Sequence, residues 1–406
     1  MFAHRFPPPP LKIAALIIIL FLAACGGTAS DSRPLSVQTG PIEKEQAPLS
    51  TKEAPKTVGP QISEPEENAA ADGPNTLEPA AKPIEEQLAV DTLKFEPDYN
   101  PLTGEIVEDV EALERRPIAV KISNSSWVRP QRGLANADII YEHLTEGGIT
   151  RFTAIFYSKE GNRVGSIRSG RLIDLEIPLM YDAAFAYSGS SHQIKMMIAA
   201  SNFFDRVVSP DFGHRGFYRD YGASSSGRLE DTMFTDTRVV RSALAERGQD
   251  TPPVLENAMV FQSEPTQDGV PVRSVEIRYL ATSAFWSYDQ KSGKFLRWSD
   301  GSRHLDANTN QQLAFDNVVL VQAVHINTEI IEDSGGSPSI QVQLWGEGPA
   351  TVFRNGLQFD GTWRRAQPGH MLTFYDKKGE PLFLKPGSSF FQIVPVGYKQ
   401  VYIEPS

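Results

Sequence analysis

The run "RRPIAVKISNSSWVRPQRGLANADIIYEHLTEGGITRFTAIFY" (115–157) holds three short segments rich in β-branched and aromatic residues: 115–123, 137–144 and 150–157. Each is bounded by Gly, Pro, Asn or Ser, the composition that buried sheets use. "AAFAYSG" (183–189) reads as a fourth strand. Between these, "GRLIDLEIPLMY" (170–181) and "SSHQIKMMIAASNFF" (190–204) space their apolar residues as helices do, with Ile194, Met197 and Ile198 on one face and Ser190 as the expected N-cap. Alternating strands and helices predict an α/β layer, in which ligands bind beyond the carboxyl ends of the strands.

Toward the C-terminus the pattern changes. A helical stretch over 236–247 runs into Gly248 and Pro252-Pro253, and almost everything after it reads as strand, with hairpin signals at Lys291-Ser292-Gly293, Asn355-Gly356 and Lys378-Gly379. The expectation is an α/β N-terminal domain (93–250) followed by a mainly β C-terminal domain (251–406). So many strands need edge protection, which predicts a barrel or a strongly twisted sheet.

Toward the N-terminus, "MFAHRFPPPPLKIAALIIILFLAAC" places Arg5 and Lys12 before an apolar core too short for a comfortable span, ending in Leu22-Ala23-Ala24-Cys25. This resembles a bacterial lipobox, so residues 1–25 are expected to be a lipoprotein signal peptide and Cys25 the lipidation site. Cys25 is the only cysteine, so the chain has no intramolecular disulfide and no cysteine metal site. Residues 26–92 hold nine prolines, 12 acids and 5 bases without hydrophobic periodicity, and read as a disordered tether. Of the net charge of −11, residues 93–406 keep −6, which excludes the basic field of a nucleic-acid binder. The expected location is the extracytoplasmic side of a cell membrane, held there by the lipid.

From Asn100-Pro101-Leu102-Thr103-Gly104 through Arg129-Pro130-Gln131, Glu142, "EGGITR" (146–151), Arg168-Ser169 with Arg171, Tyr181-Asp182 and Gly361-Thr362-Trp363, the chain resembles the YerB-like bacterial lipoproteins, a domain-of-unknown-function family. The resemblance covers nearly all of residues 99–395. It implies a two-domain lipoprotein and no established reaction. Relatives often carry a histidine-asparagine pair where this chain has "GRLEDTMFTD" (227–236).

The arginines give the strongest chemical signal. "EGGITRF" and "GSIRSGR" (165–171) supply Arg151, Arg168, Ser169 and Arg171, and "WVRPQRG" adds Arg129 and Arg132. Guanidinium groups beside glycine-freed amides suit phosphate or carboxylate, so Arg129, Arg151, Arg168, Ser169 and Arg171 are candidate anion-binding residues. Glu142, at the end of a strand, is the candidate acid/base or orienting acid. The competing reading is a buried Glu142–arginine network that only fixes loops on the sheet. Ser190 and His192 stand at a strand-to-helix transition without the nucleophile-elbow pattern, and Arg219 lies in the loop "GFYRDYGASSSGR" (216–228) with Tyr218 and Tyr221. The histidines lack the spacing of a zinc helix or knuckle, so no metal and no cofactor is expected, with carboxylate ligation through Asp138, Glu142 and Asp182 the one open route.

Two function classes follow. The first is a membrane-anchored binding module that grips an anionic envelope component or a protein partner through an arginine-lined cleft. The alternative is a cell-envelope enzyme of phosphotransferase type acting on a lipid-linked phosphate, because strand, arginine motif, helix and "AFAYSGSS" follow one another in an order loosely similar to the LytR-CpsA-Psr phosphotransferases. A peptidoglycan hydrolase ranks third, for want of paired carboxylates or a thiol.

Overall fold

The computed structural model describes residues 96–406. The expected signal segment, Cys25 and the tether lie outside the described residues.

The first half forms β1 (Ile118–Ser123), β2 (Ile139–Leu144), β3 (Thr150–Phe156), β4 (Val164–Gly165), β5 (Ala184–Ala186), β6 (Val207–Val208), β7 (Phe217–Arg219) and β8 (Met233–Thr235), with helices α1 (Ile177–Met180), α2 (His192–Ala199) and α3 (Thr237–Ala245). The second half is strand throughout: β9 (Val270–Arg278), β10 (Ser283–Asp289), β11 (Lys294–Ser299), the two-residue β12 to β15 between Ser302 and Phe315, β16 (Asn317–Ile331), β17 (Pro338–Gln343), β18 (Gly346–Arg354), β19 (Leu357–Arg365), β20 (Thr373–Asp376), β21 (Ser389–Pro395) and β22 (Val401–Pro405). A mixed N-terminal region followed by a mostly β C-terminal one is the architecture that the sequence pattern predicts.

Most strands join in one branched sheet, beside which β13–β14 and β4–β8–β7 form two small sheets of their own. Its spine runs β6-β5-β1-β3-β2-β21-β16-β18-β19-β20, and β9 leaves β19 to carry β22, β10 and β11. The link between the two halves is parallel, with Glu142 of β2 opposite Gln392 of β21, and β21 is also parallel to β16 on its other side, with Val319 opposite Phe391. In the C-terminal half the pairings run β16-β18-β19-β9-β10-β11-β15, and β15 leads directly back into β16. The expected hairpin turn at Asn355-Gly356 joins β18 and β19 with both residues at positive φ, as a two-residue hairpin loop requires.

Every residue of β1 is buried because the sheet is covered on both faces. Ile118, Val120 and Ile122 face a core with Phe152, Trp286 and Phe390, while Ala119 faces the other core with Tyr141, Ile177 and Phe391. The helix expected over 170–181 is broken into a 3-10 turn at Leu172–Leu175 and the single turn α1, with Pro178 just inside α1. Ser191, not Ser190, occupies the N-cap of α2, and Ser190 Oγ donates to Asp211 Oδ2 at 3.3 Å instead. Asp236 caps α3 through the amide of Arg238.

Candidate functional site

Near the carboxyl ends of β1 and β2 the alternation of side chains splits the candidate residues between the two faces of the sheet. Lys121, His143, Arg151 and Thr153 fall on one face, whereas Glu142 and Phe152 fall on the other.

On the first face lies a buried ionic network. Lys121 Nζ donates to Asp174 Oδ1 at 2.8 Å, to Thr153 Oγ1 at 3.1 Å and to His143 Nε2 at 2.6 Å, which uses all three ammonium protons. His143 Nε2 is thereby the acceptor, and Nδ1 carries the proton toward the Leu144 carbonyl at 3.1 Å. Burial lowers Lys121 to about 8 against the pull of Asp174, and burial with the Lys121 charge holds His143 well below its usual value. Above this layer, Arg151 and Arg171 converge on Glu146. Arg171 Nε meets Glu146 Oε2 at 2.9 Å, and Arg151 Nη2 meets Oε1 at 3.2 Å. Burial raises the Glu146 carboxyl, but the Arg171 hydrogen bond and both guanidinium charges outweigh it and hold the group at about 2. Burial, then the neighbouring Arg171, lowers Arg151 to about 9. Glu332, beyond the end of β16, approaches Arg171 at 3.5 Å.

Arg168 differs from these two. Its backbone is pinned, with N donating to the Lys121 carbonyl at 3.0 Å and O accepting from Ser188 N at 3.2 Å. Its guanidinium stands 3.5 Å from Asp231 and remains 17% exposed, and among the described residues neither its Nε nor Asp231 Oδ1 has a hydrogen-bond partner. The Ser169 carbonyl accepts from Arg151 Nη1 at 2.9 Å. A cleft of about 420 Å³ opens beside Glu146, lined by Leu144, Gly148, Leu280, Ile340 and Tyr398, with none of the candidate arginines in its wall.

On the second face Glu142 has four donors: Asn124 Nδ2 at 3.0 Å, Thr150 Oγ1 at 2.7 Å, Arg297 Nη2 at 2.8 Å and Gln392 Nε2 at 2.9 Å. These four donors fill its lone-pair positions, and the carboxylate holds their segments in place. Arg297 lies against the rings of Phe152, Trp286 and Phe390 and donates Nε to His304 Nδ1 at 2.9 Å. Burial, then the charge of Arg297, holds His304 well below its usual value. Arg129 belongs to this side, donating to Asn124 Oδ1 at 3.1 Å and Thr282 Oγ1 at 2.9 Å and pairing with Asp300.

The structure therefore brings Arg151, Arg168, Ser169 and Arg171 together, and it places Glu142 and Arg129 across the sheet from them. His192 is exposed at the start of α2, and Arg219 in β7 reaches Thr232 Oγ1 at 3.1 Å and the Leu229 carbonyl. Sequence reasoning missed Lys121, Glu146, Asp174, Arg297 and Glu332. The available signals were a lone lysine inside the apolar strand "IAVKIS" and an acid three residues after Arg171. Among the described residues no group of His, Cys, Asp and Glu could hold a metal, and no helix is long and apolar enough to cross a membrane.

Comparison with known proteins follows this division of the chain. The family model described as "Protein of unknown function (DUF3048) N-terminal domain" matches residues 102–250, and the corresponding C-terminal domain model matches residues 275–391. The chain is 30% identical over 303 residues to the protein named "Putative lipoprotein YerB" of Bacillus subtilis (strain 168), covering 73% of this chain and 86% of that one. It is also similar to the crystal structure of the Bacillus subtilis YerB protein, with a TM-score of 0.62 and 28% identity over 75% of this chain and 99% of that one.

Proposed function

The chain belongs to the DUF3048 family, and from that premise we propose that it is a lipoprotein anchored through Cys25 on the extracytoplasmic side of the membrane, whose folded region binds an anionic envelope component. Similarity to a relative named as a lipoprotein supports the anchoring, together with the lipobox-like Leu22-Ala23-Ala24-Cys25. Arg168 is the contact, which narrows the arginine set to one member.

The observation that carries this reading is the contrast between Arg168 and its neighbours. Arg151 and Arg171 are held by Glu146, and a guanidinium already paired in a buried site gains little from a second anion. Arg168 is part-exposed, carried on a backbone held by two hydrogen bonds, and set at ion-pair distance from Asp231 without a hydrogen bond. Its forked donors remain available for bidentate contact with phosphate or carboxylate.

The test is thermal unfolding of the full chain in mild detergent, wild type against Arg168→Ala, with and without pyrophosphate or glycerol phosphate. The wild type should gain several degrees with an anion, and the gain should fall as salt rises. Arg168→Ala should fold and show no gain. A wild type that responds to neither anion refutes the reading.

A further inference from the structure

The loop "GFYRDYGASSSGR" (216–228) forms part of a surface that extends beyond Arg168. Ser225 N donates to the Trp127 carbonyl at 3.3 Å and Ser224 Oγ to the same oxygen at 3.2 Å, so the loop lies across the turn that carries Trp127. Trp127 is 54% exposed and Tyr221 71%. Tyr218 is also exposed, its ring 6.2 Å from Phe234, and Arg132 stands 5.7 Å over the same Phe234 ring. Large exposed rings grouped on one surface mark an interaction site more often than chance exposure.

The charge of this surface runs against that of the molecule. Residues 93–406 are acidic overall, yet here Arg132, Arg163, Arg168, Arg219 and Arg228 outnumber Asp220, Glu230, Asp231 and Asp236. Among the described residues, Arg132, Arg219 and Arg228 have no carboxylate within ion-pair distance, whereas Arg163 pairs with Asp220.

We propose that this aromatic and arginine face binds an acidic polysaccharide, with Trp127, Tyr218 and Tyr221 stacking on sugar rings and Arg132, Arg219 and Arg228 holding its carboxylate or phosphate groups. A pyranose presents a flat face of C–H bonds to an aromatic ring and a rim of hydroxyls to the serine-rich loop, and planar guanidinium groups match its acid groups bidentately. Charge complementarity selects an anionic chain over a neutral one. A membrane surface fits less well, because residues 213–232 contain no lysine and Leu229 is their one exposed aliphatic side chain. The proposal rests on the Arg168 reading only for the acid group nearest Asp231.

The experiment is affinity electrophoresis of the full chain in mild detergent through gels containing polygalacturonate, phosphomannan or neutral dextran. The wild type should be retarded by at least one acidic polymer and not by dextran. Trp127→Ala and Tyr221→Ala change exposed side chains and should fold normally, and each should weaken binding about tenfold, the size expected of an aromatic anchor. Loss with these variants but not with Arg168→Ala supports the face and removes the Arg168 reading. Loss with Arg168→Ala alone overturns the face and leaves that reading standing. A wild type retarded by neither acidic polymer also overturns the proposal. So does quenching of tryptophan fluorescence by brominated phosphatidylglycerol vesicles that Trp127→Phe abolishes, which would assign the face to lipid.

Discussion

Lowering the pH from 7.5 to 5.0 is expected to remove about 4 kcal/mol of stability through two imidazoles that the fold keeps neutral. His143 and His304 are both buried, and each uses a ring nitrogen to accept from a cation: Nε2 from Lys121 at 2.6 Å and Nδ1 from Arg297 at 2.9 Å. A second proton on either ring would meet that cation, and burial adds the larger penalty, so both titrate well below the ordinary 6.5. In the unfolded chain they titrate near that ordinary value. Above it, folded and unfolded chains bind the same protons and nothing changes; below it, only the unfolded chain takes them up. Each ring then removes about 1.4 kcal/mol per pH unit, or about 2 kcal/mol at pH 5.0. Glu146, held at about 2, adds its loss in a separate window, between about 4.5 and 2. Urea unfolding of the full chain, followed by tryptophan fluorescence at pH 7.5, 6.5 and 5.0, measures the effect. His143→Gln and His304→Asn each retain an acceptor where the imidazole has one, and each should take about 1.4 kcal/mol per pH unit off the slope below pH 6.5. A wild-type midpoint equal at pH 7.5 and 5.0, or variant slopes equal to the wild type, would refute the reasoning.

Glu146→Gln leaves Arg151 and Arg171 facing one another with only Glu332 to compensate them, and should cost about 3 kcal/mol in urea unfolding at pH 7. Lys121→Met strands the buried Asp174 and should cost a similar amount, about 3 kcal/mol, while Lys121→Met with Asp174→Asn should recover most of it in a double-mutant cycle. Gly356→Ala places a side chain at φ +70° with its Cβ 2.7 Å from the Tyr288 ring, so about 1–2 kcal/mol of backbone strain plus the contact should appear as a lower Tm. Trp127→Ala should change unfolding by less than about 0.5 kcal/mol, since its ring is mostly in solvent.

The fold was legible wherever one local rule governed it. The strands around Val120, Ile140 and Ala154 follow from apolar runs bounded by turn residues, and the β18–β19 hairpin follows from Asn355-Gly356. The helix predicted over 170–181 was less legible: its apolar spacing is real, but Asp174 is drawn to Lys121 and to the Arg171 amide, and the segment winds as short turns over the sheet. The site was legible by residue type and not by face. Arg151, Arg168 and Arg171 do gather, whereas Glu142 lies one residue from His143 on a strand and so points the opposite way. Arg297 and Glu332 could not be tied to these residues from sequence, because their partners lie more than 150 positions away.

The buried charges also explain why so few arginines are left for a ligand. A buried ion pair adds little stability over apolar packing of the same volume, so its value lies in excluding wrong arrangements. Glu142 collects donors from Asn124, Thr150, Arg297 and Gln392, segments brought together only when β2 pairs with β21 in the observed register. A slip of one residue would turn Gln392 to the other face and leave the carboxylate short of a donor. On the opposite face, Glu146 ties β3 to the segment after β4, and Glu332 brings in the β16–β17 hairpin. Both networks thus join the two halves of the chain, and they consume Arg151, Arg171 and Arg297 in doing so. Among the guanidinium groups that no carboxylate holds firmly are Arg168, Arg132, Arg219 and Arg228, which is why the two binding proposals are placed on them.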